Sequence, residues 1–383
     1  GAYMKLNDYR GKFFYHYPMK VNQSKEFILP LISEGANLET SSANELWIVK
    51  RLWEQGRFNA RIRVMCNGPK TEKYLTLIDE LDKKGLMITP VVEEETELEF
   101  FKQYKGEVGI RVDVDVKTKA HWDKRYNHFG FSEQELYKIG KIRNLAVLGY
   151  HISSQMEHLD DLIQPIRHVV ELYAHMRLKN PQLDTINIGG GGAVPYEKKR
   201  PFYSIKAVAN RIVKTFKQEC VRLGVREPNI ICEWGRYVVA PAQVTIFKVI
   251  DEKVTDVNNN KRWYVLDGSF MSNIPDTWAI HQRWHVVPVN AMIARKYQHV
   301  WLAGSSCDSD DRYTAGGGYI TLPKYEEGSD LYVAIFDTGA YQDSLSSHHC
   351  LISNPAKVVA HNGETTLVRK RETPEDIGKL FGW

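Results

Sequence analysis

A chain of 383 residues with 43% hydrophobic and 26% charged residues has the composition of a folded globular protein, and is too long for one ordinary core. Its 51 basic and 47 acidic residues leave a net charge of +4 with both signs interspersed, which excludes the footprint of a nucleic-acid binder or of a protein held on an anionic membrane surface. Five well-separated cysteines without a CxxC pair indicate neither a disulfide framework nor a zinc site; no basic n-region opens the chain and no apolar run approaches a membrane span, so a soluble protein of a reducing cytoplasm is expected.

The first apolar run, Phe13 to Tyr17, reads as a strand ended by Pro18, which cannot donate to a sheet ladder. Lys20 follows at once. At the mouth of a buried strand, desolvation biases a lysine towards its neutral amine, the form that attacks a carbonyl to make a Schiff base. A lysine that snorkels to solvent fits the same run. The segment SKEFILPLISEG then places Phe27, Ile28, Leu31 and Ile32 at helical spacing, with a kink expected at Pro30 and a stop at Gly35. A second strand, Ala36 to Ser41, leads into Ser42-Ala43-Asn44-Glu45, a capping box that opens a helix ending near Gly56.

The same alternation continues. RIRVMCN, LMITPVVEE and EVGIRVDV read as strands three to five, the last followed by a polar loop (Lys117 to Phe131) and the helix SEQELYKI. LAVLGYHI is strand six, and the helix from about Leu159 to Leu178 carries Leu162, Ile166, Val169, Val170 and Tyr173 on one face. TINIGGGG, the helix SIKAVANRIVKTFKQECVRLG and NIICEWG complete eight strand-then-helix units. In count and length these fit a (β/α)8 TIM barrel, with a doubly wound sheet weakened by the lack of a Gly-rich turn after the first strand. From about Val238, short β-branched and aromatic runs (QVTIFKVID, RWYVLDGSF, RWHVVPV, HVWLAGS, LYVAIFD, TTLVRKR) alternate with turn clusters such as Asn258-Asn259-Asn260. The expected organisation is therefore a barrel over residues 1–237 and a C-terminal all-β domain over 238–383.

Chemistry in such a barrel sits at the carboxyl ends of the strands. Those ends collect Lys20, Glu39, Asn67, Glu93, Arg111, His151, Ser154, the run Gly189, Gly190, Gly191 and Gly192, and Glu233-Trp234-Gly235-Arg236. A glycine run lets backbone N–H groups approach an anion, and phosphate is the usual tenant after strands seven and eight; a tight strand-to-helix turn also accounts for it. Arg236 could reach the same phosphate or form a surface ion pair. A carboxylate such as Glu233 at the end of an apolar strand needs a cation, and a protonated pyridine nitrogen and Arg111 are equal candidates. His151 reads as a satisfied core or loop histidine, or as a ring stacked on a planar cofactor. Together these residues support bound pyridoxal phosphate better than any one of them does.

YPMKVNQ, NLETSSANEL, CNG, GIRVDV, NHFGFS, GYHISSQ, INIGGGG, EWGRYVVAPAQ, DGSFMSNIPDTWAI, SCDSDD and GAYQDSL occur in this order along nearly the whole chain. In them the sequence resembles the fold-type III pyridoxal-phosphate decarboxylases, with an alanine-racemase-like barrel and a β-domain, and within them the biosynthetic arginine decarboxylases. The resemblance implies that Lys20 is the Schiff-base lysine and that His151 stacks on the cofactor ring. Ser154, Gly189 to Gly192, Gly235, Arg236 and Tyr341 hold the phosphate, Glu233 binds the pyridine nitrogen, and Arg111 and Glu39 lie around ring and lysine. It further implies a homodimer or higher homo-oligomer with shared sites, in which Cys307, the candidate proton donor, and Asp308 come from the partner subunit. Three departures stand out: Ser153 where the family has glycine, a start almost at the first strand, and no long helical additions.

The activity so implied is decarboxylation of L-arginine to agmatine in polyamine biosynthesis, with Asp308 as the best carboxylate for a guanidinium and Asp267, Asp276 or Asp310 nearby in sequence. Ornithine, lysine, carboxynorspermidine and diaminopimelate are the alternatives; the last is disfavoured because that branch resembles Cys-Glu-Ser where this chain has Cys307-Asp308-Ser309. A silent regulatory paralogue is opposed by the presence of Lys20, Glu233 and Cys307 together.

Overall fold

The protein is described by a computed structural model over residues 1–59, 61–116, 127–197, 201–256 and 261–383. It forms two units, the first over Gly1–Pro195 and resuming up to Tyr237, the second over Val238–Trp383 together with the short stretch that begins at Tyr196. Most of the polar loop expected after strand five (117–126) and the turn Asn258-Asn259-Asn260 lie outside the described residues.

In the first unit the strands β1 (Phe13–Pro18), β2 (Asn37–Thr40), β3 (Arg63–Cys66), β4 (Met87–Val92), β5 (Val108–Asp113), β7 (Leu145–Tyr150), β8 (Thr185–Asn187) and β9 (Asn229–Cys232) pair in parallel. Pairing of β4 with β5 and of β9 with β1 closes the ring, so the expected TIM-like barrel is present. A two-residue strand, β6 (Phe131–Ser132), hangs on β5 outside the ring. Parallel strands need long crossovers, and the helices supply them: α2 (Lys25–Ser33), α3 (Ala43–Glu54), α4 (Glu72–Lys83), α5 (Glu95–Phe101), α6 (Glu133–Lys138), α7 (Leu159–Arg177) and α8 (Ile205–Leu223) follow in order, after a short α1 (Ala2–Leu6).

The helix limits follow from their caps. Ser132 and Glu135 form a full capping box on α6, and Gly224, at φ 63°, ends α8 in the left-handed region where glycine is favoured. The box expected on α3 forms by half: Ser42 accepts from the Glu45 N–H, but the Glu45 carboxylate turns back to the Ser41 N–H at 2.7 Å. α2 is one helix through Pro30. Leu162, Ile166, Val169, Val170 and Tyr173 of α7 are buried as their spacing predicts, each such side chain contributing about 1.5–3 kcal/mol relative to exposure. Met65, Val91, Ala146, Val147 and Ile231 make a core cluster with Phe14 packed on it. His16 of β1 is fully buried with both ring nitrogens unpartnered among the described residues, and burial lowers its pKa to about 3, so it is neutral.

The second unit is mostly sheet rather than all β. Its strands are β10 (Thr245–Asp256), β11 (Lys261–Leu266), β12 (Val286–Pro288), β13 (Tyr297–Ala303), β14 (Arg312–Tyr313), β15 (Ile320–Pro323) and β16 (Leu331–Ile335). They lie in the order β12-β16-β10-β11-β13-β14 with β15 also on β13, all antiparallel except β11 with β13. A separate hairpin joins β17 (Lys357–His361) to β18 (Glu364–Arg369); the helix α9 (Asp276–Ala279) lies between β11 and β12, and α10 (Pro374–Leu380) follows β18. Phe247, Val249, Tyr264, Leu266, Phe270, Val300, Leu302 and Val333 form its buried interior. Among the described residues no helix is long and apolar enough to cross a membrane.

Candidate active site

Because every strand of the ring runs the same way, all the carboxyl ends open on one face. There the first unit holds a cleft of about 770 Å³ whose walls include Lys20, Asn67, Arg111, His151, Asn187 and Glu233. Lys20 is in a single helical turn, Met19–Val21, directly after β1. Met19 and Val21 are buried while Lys20 itself is exposed to the cleft. The burial expected to desolvate this lysine is thus a property of its neighbours, and its amine is presented to the cavity.

Glu233 follows β9 and is half-buried. Its Oε1 accepts from Asn187 Nδ2 at 2.7 Å and from Asn67 Nδ2 at 3.3 Å. The Asn187 amide is oriented by its other end, since Oδ1 accepts the Gly189 N–H at 2.9 Å, which leaves the NH2 for Glu233. Among the described residues no cation pairs with Glu233. Arg111 belongs instead to Glu93, at 3.3 Å, with its guanidinium over the Phe129 ring at 4.6 Å, so the barrel arginine is removed as the partner of Glu233. Asn187, the last residue of β8, did not enter the sequence-based set; a polar side chain closing the apolar run Thr185–Asn187 was the available signal.

Glu39, at the end of β2, is fully buried. One carboxylate oxygen accepts from Ser41 Oγ at 2.9 Å, and Oε2 has no partner among the described residues. Burial first, and then the Glu233 charge, push its pKa up to about 8, with Lys20 pulling the other way. His151, directly after β7, accepts the Gly190 N–H on Nδ1 at 3.1 Å, and burial together with Lys20 and Arg111 holds its pKa well below the ordinary histidine value. The ring is therefore neutral, with its proton on Nε2.

The glycine run is required sterically at two positions above all. Gly189 has φ 64° and a Cβ there would lie 2.4 Å from the Tyr150 carbonyl; at Gly191, φ 117°, it would lie 2.0 Å from the Met156 methyl. The run is drawn to the Ser154 loop by Met156 N–H to Gly191 O and by Gln155, whose amide bonds both backbone groups of Val194. Arg236, buried in the short turn that Gly235 begins, donates Nε–H to Ser154 Oγ at 3.2 Å. The N–H groups of Gly191 and Gly192 make no hydrogen bond among the described residues.

Residues 3–240 match the family model described as "Pyridoxal-dependent decarboxylase, pyridoxal binding domain". The chain belongs to the pyridoxal-dependent decarboxylases. It is 24% identical to the biosynthetic arginine decarboxylase of Marinobacter nauticus over 91% of this chain and 75% of that protein. To the diaminopimelate decarboxylase of Methanocaldococcus jannaschii it is 25% identical, over 98% and 85%. The crystal structure of the biosynthetic arginine decarboxylase of Campylobacter jejuni superposes with a TM-score of 0.84 at 20% identity, covering all of this chain and 80% of that one.

The cofactor of this decarboxylase family is pyridoxal phosphate, and the cleft fits it: a presented amine, a carboxylate held by two amides, a neutral imidazole, and backbone N–H groups of Gly191 and Gly192 unengaged among the described residues. The remaining sequence-derived residues are in the second unit. Cys307 is exposed. Asp308 is half-buried and Oδ2 lies 3.2 Å from His349 Nε2. Asp267 is engaged internally, Oδ1 accepting the Lys248 N–H at 2.8 Å and Oδ2 lying 3.6 Å from Arg371. Asp276 is buried and accepts from Gln342, Asp310 is exposed beside Arg312, and Tyr341 has a left-handed backbone, φ 69°.

Proposed function

We propose that this decarboxylase acts on L-arginine, releasing carbon dioxide and agmatine. The observation that carries the chemical reading is Glu233, a cleft carboxylate held by two amide donors with no cation among the described residues, opposite the presented amine of Lys20. When bound, pyridoxal phosphate supplies an electron sink for the bonding pair released as carbon dioxide leaves.

Lys20 is the residue to hold the cofactor covalently, and Glu233 the one to keep its ring nitrogen protonated. The neutral His151 ring would lie against the cofactor ring, with Arg111 and Glu39 around it. Gly189, Gly190, Gly191, Gly192 and Gly235 give the phosphate close backbone approach, joined by Ser154, Arg236 and Tyr341. Cys307 would return a proton to the substrate α-carbon, and Asp308 would receive the guanidinium, with Asp267 as the second candidate acid. Lys20, His151 and Glu233 belong to one unit, Cys307, Asp308 and Tyr341 to the other, which supports a homodimer whose sites are completed by the partner subunit. The five free cysteines support a reducing cytoplasm.

The Cys307-Asp308-Ser309 order favours arginine; the similarity to a diaminopimelate decarboxylase keeps that substrate as the second reading. Product analysis with arginine, ornithine, lysine, carboxynorspermidine and diaminopimelate decides between them. Agmatine with a kcat/KM at least about 10-fold above every competitor is expected, since a guanidinium site left unfilled loses charge-assisted bonds; lysine from diaminopimelate as the preferred product overturns the proposal. Borohydride reduction of the cofactor-loaded protein followed by peptide mapping should label Lys20, and a label on any other lysine removes it from this role.

A further inference from the structure

The second unit brings together two cysteines that the sequence keeps apart. Cys307, just past β13, and Cys350, in the turn His349–Leu351, are both exposed, and their sulfurs lie 3.6 Å apart across 43 residues of chain. The turn is held in a costly shape, with left-handed φ of 54° at both Cys350 and Leu351, a region that side chains other than glycine rarely adopt. It is tied on both sides: His349 Nε2 lies 3.2 Å from Asp308 Oδ2, and His348 Nε2 lies 2.9 Å from Glu372 Oε2. Cys350 is thus delivered to Cys307 by a fixed turn. The other three cysteines are buried, and burial raises their pKa, to about 11 for Cys66 and about 12 for Cys220, which leaves them inert to thiol reagents.

We propose that Cys307 and Cys350 are an oxidative modification site, closing a reversible intrachain disulfide when they meet a small-molecule disulfide. One thiolate attacks a sulfur of that reagent, expels its first thiolate and leaves a mixed disulfide on the protein. The second cysteine thiolate attacks the protein sulfur of that bond, expels the other reagent thiolate and forms the Cys307–Cys350 bond. The two cysteines lose two electrons, the reagent gains them, and the two cysteine protons end on the released thiols. Closure takes the Cys307 thiol out of use, so the activity consequence rests on the proposed role of Cys307 as proton donor; the thiol chemistry does not.

The test treats the cofactor-loaded enzyme with oxidised glutathione, blocks remaining thiols, and maps peptides by mass spectrometry without reduction, with activity measured in parallel. One linked pair containing Cys307 and Cys350, on a chain that still runs as a monomer in a denaturing gel, is expected. Activity should fall about 100-fold, the contribution of a general acid, and return with dithiothreitol. The variant Cys350→Ser should keep the untreated activity and give only a glutathione adduct on Cys307. A Cys307 that stays free to alkylation after treatment, or a linkage between two chains, overturns the proposal. A linked pair with full activity supports the site and removes Cys307 from proton transfer, so the two readings fail separately.

Discussion

The carboxyl ends of β2 and β9 each carry a glutamate; Glu233 lines the cleft, Glu39 is fully buried, and their surroundings are opposite. Glu233, at β9, is half-exposed and its Oε1 receives two amide N–H groups. Glu39, at β2, is sealed from water with one oxygen unpartnered among the described residues, and its pKa rises to about 8. Two identical side chains at one strand-end layer thus meet different surroundings, and for Glu39 burial and the neighbouring Glu233 charge favour the protonated acid.

The largest break in that contrast is Glu233→Gln, which keeps the shape and removes the charge. A loss of about 10³-fold in kcat/KM is expected, with cofactor still bound by absorbance; activity within a few-fold of the parent removes Glu233 from the chemistry. Next is Asn187→Asp. It replaces the oriented NH2 by a second carboxylate facing Glu233, and should cost about 10- to 100-fold and shift the acid limb of the pH profile upward, whereas Asn187→Ser should restore part of the loss. An unchanged pH profile in Asn187→Asp would show that the amide facing Glu233 does not shape the pH dependence of the reaction.

The smallest effect is on stability. Glu39 folds with a pKa raised from an ordinary 4.5 to about 8. Below pH 4.5 it is protonated in both folded and unfolded chains; as pH rises through this window the unfolded chain gives up the proton and the folded one retains it, so stability is lost towards pH 8. Glu39→Gln removes this term, and its Tm should fall less than the parent's between pH 5 and 8, by several degrees. Parallel curves for the two proteins would show that Glu39 is not held neutral.

Much of this was legible in the order of residues. The eight strand-then-helix units stand out because parallel barrel strands are covered on both faces and read as short continuous apolar runs, each followed by a helix-period segment. The strand ends then follow from the topology, which is why Lys20, His151 and Glu233 could be gathered before any coordinates. The run TINIGGGG overstated β8, since glycines with positive φ at Gly189 and Gly191 leave the ladder after Asn187. Partnerships were less accessible. Whether Glu233 meets Arg111 or two asparagines depends on which strand ends face one another, and the meeting of Cys307 with Cys350 depends on a turn whose backbone has no sequence signature. At Lys20 the residues left a desolvated amine and one reaching out of the strand end both open, because exposure there depends on the cavity that the neighbouring strand ends form.

The single parallel pairing in the second unit, β11 with β13, has a kinetic consequence. Antiparallel strands adjacent in sequence can zip from a turn, as β17 and β18 do from Asn362-Gly363. β13 cannot reach β11 that way: the chain from Asp267 to Lys296 must first cross over, contributing α9 and the edge strand β12 on its route. Loop-closure entropy opposes this step before any ladder bond offsets it. The β17–β18 hairpin therefore closes a short loop, while the register of Trp263 against Trp301, like that of β16 on β10, waits on a long crossing of the chain.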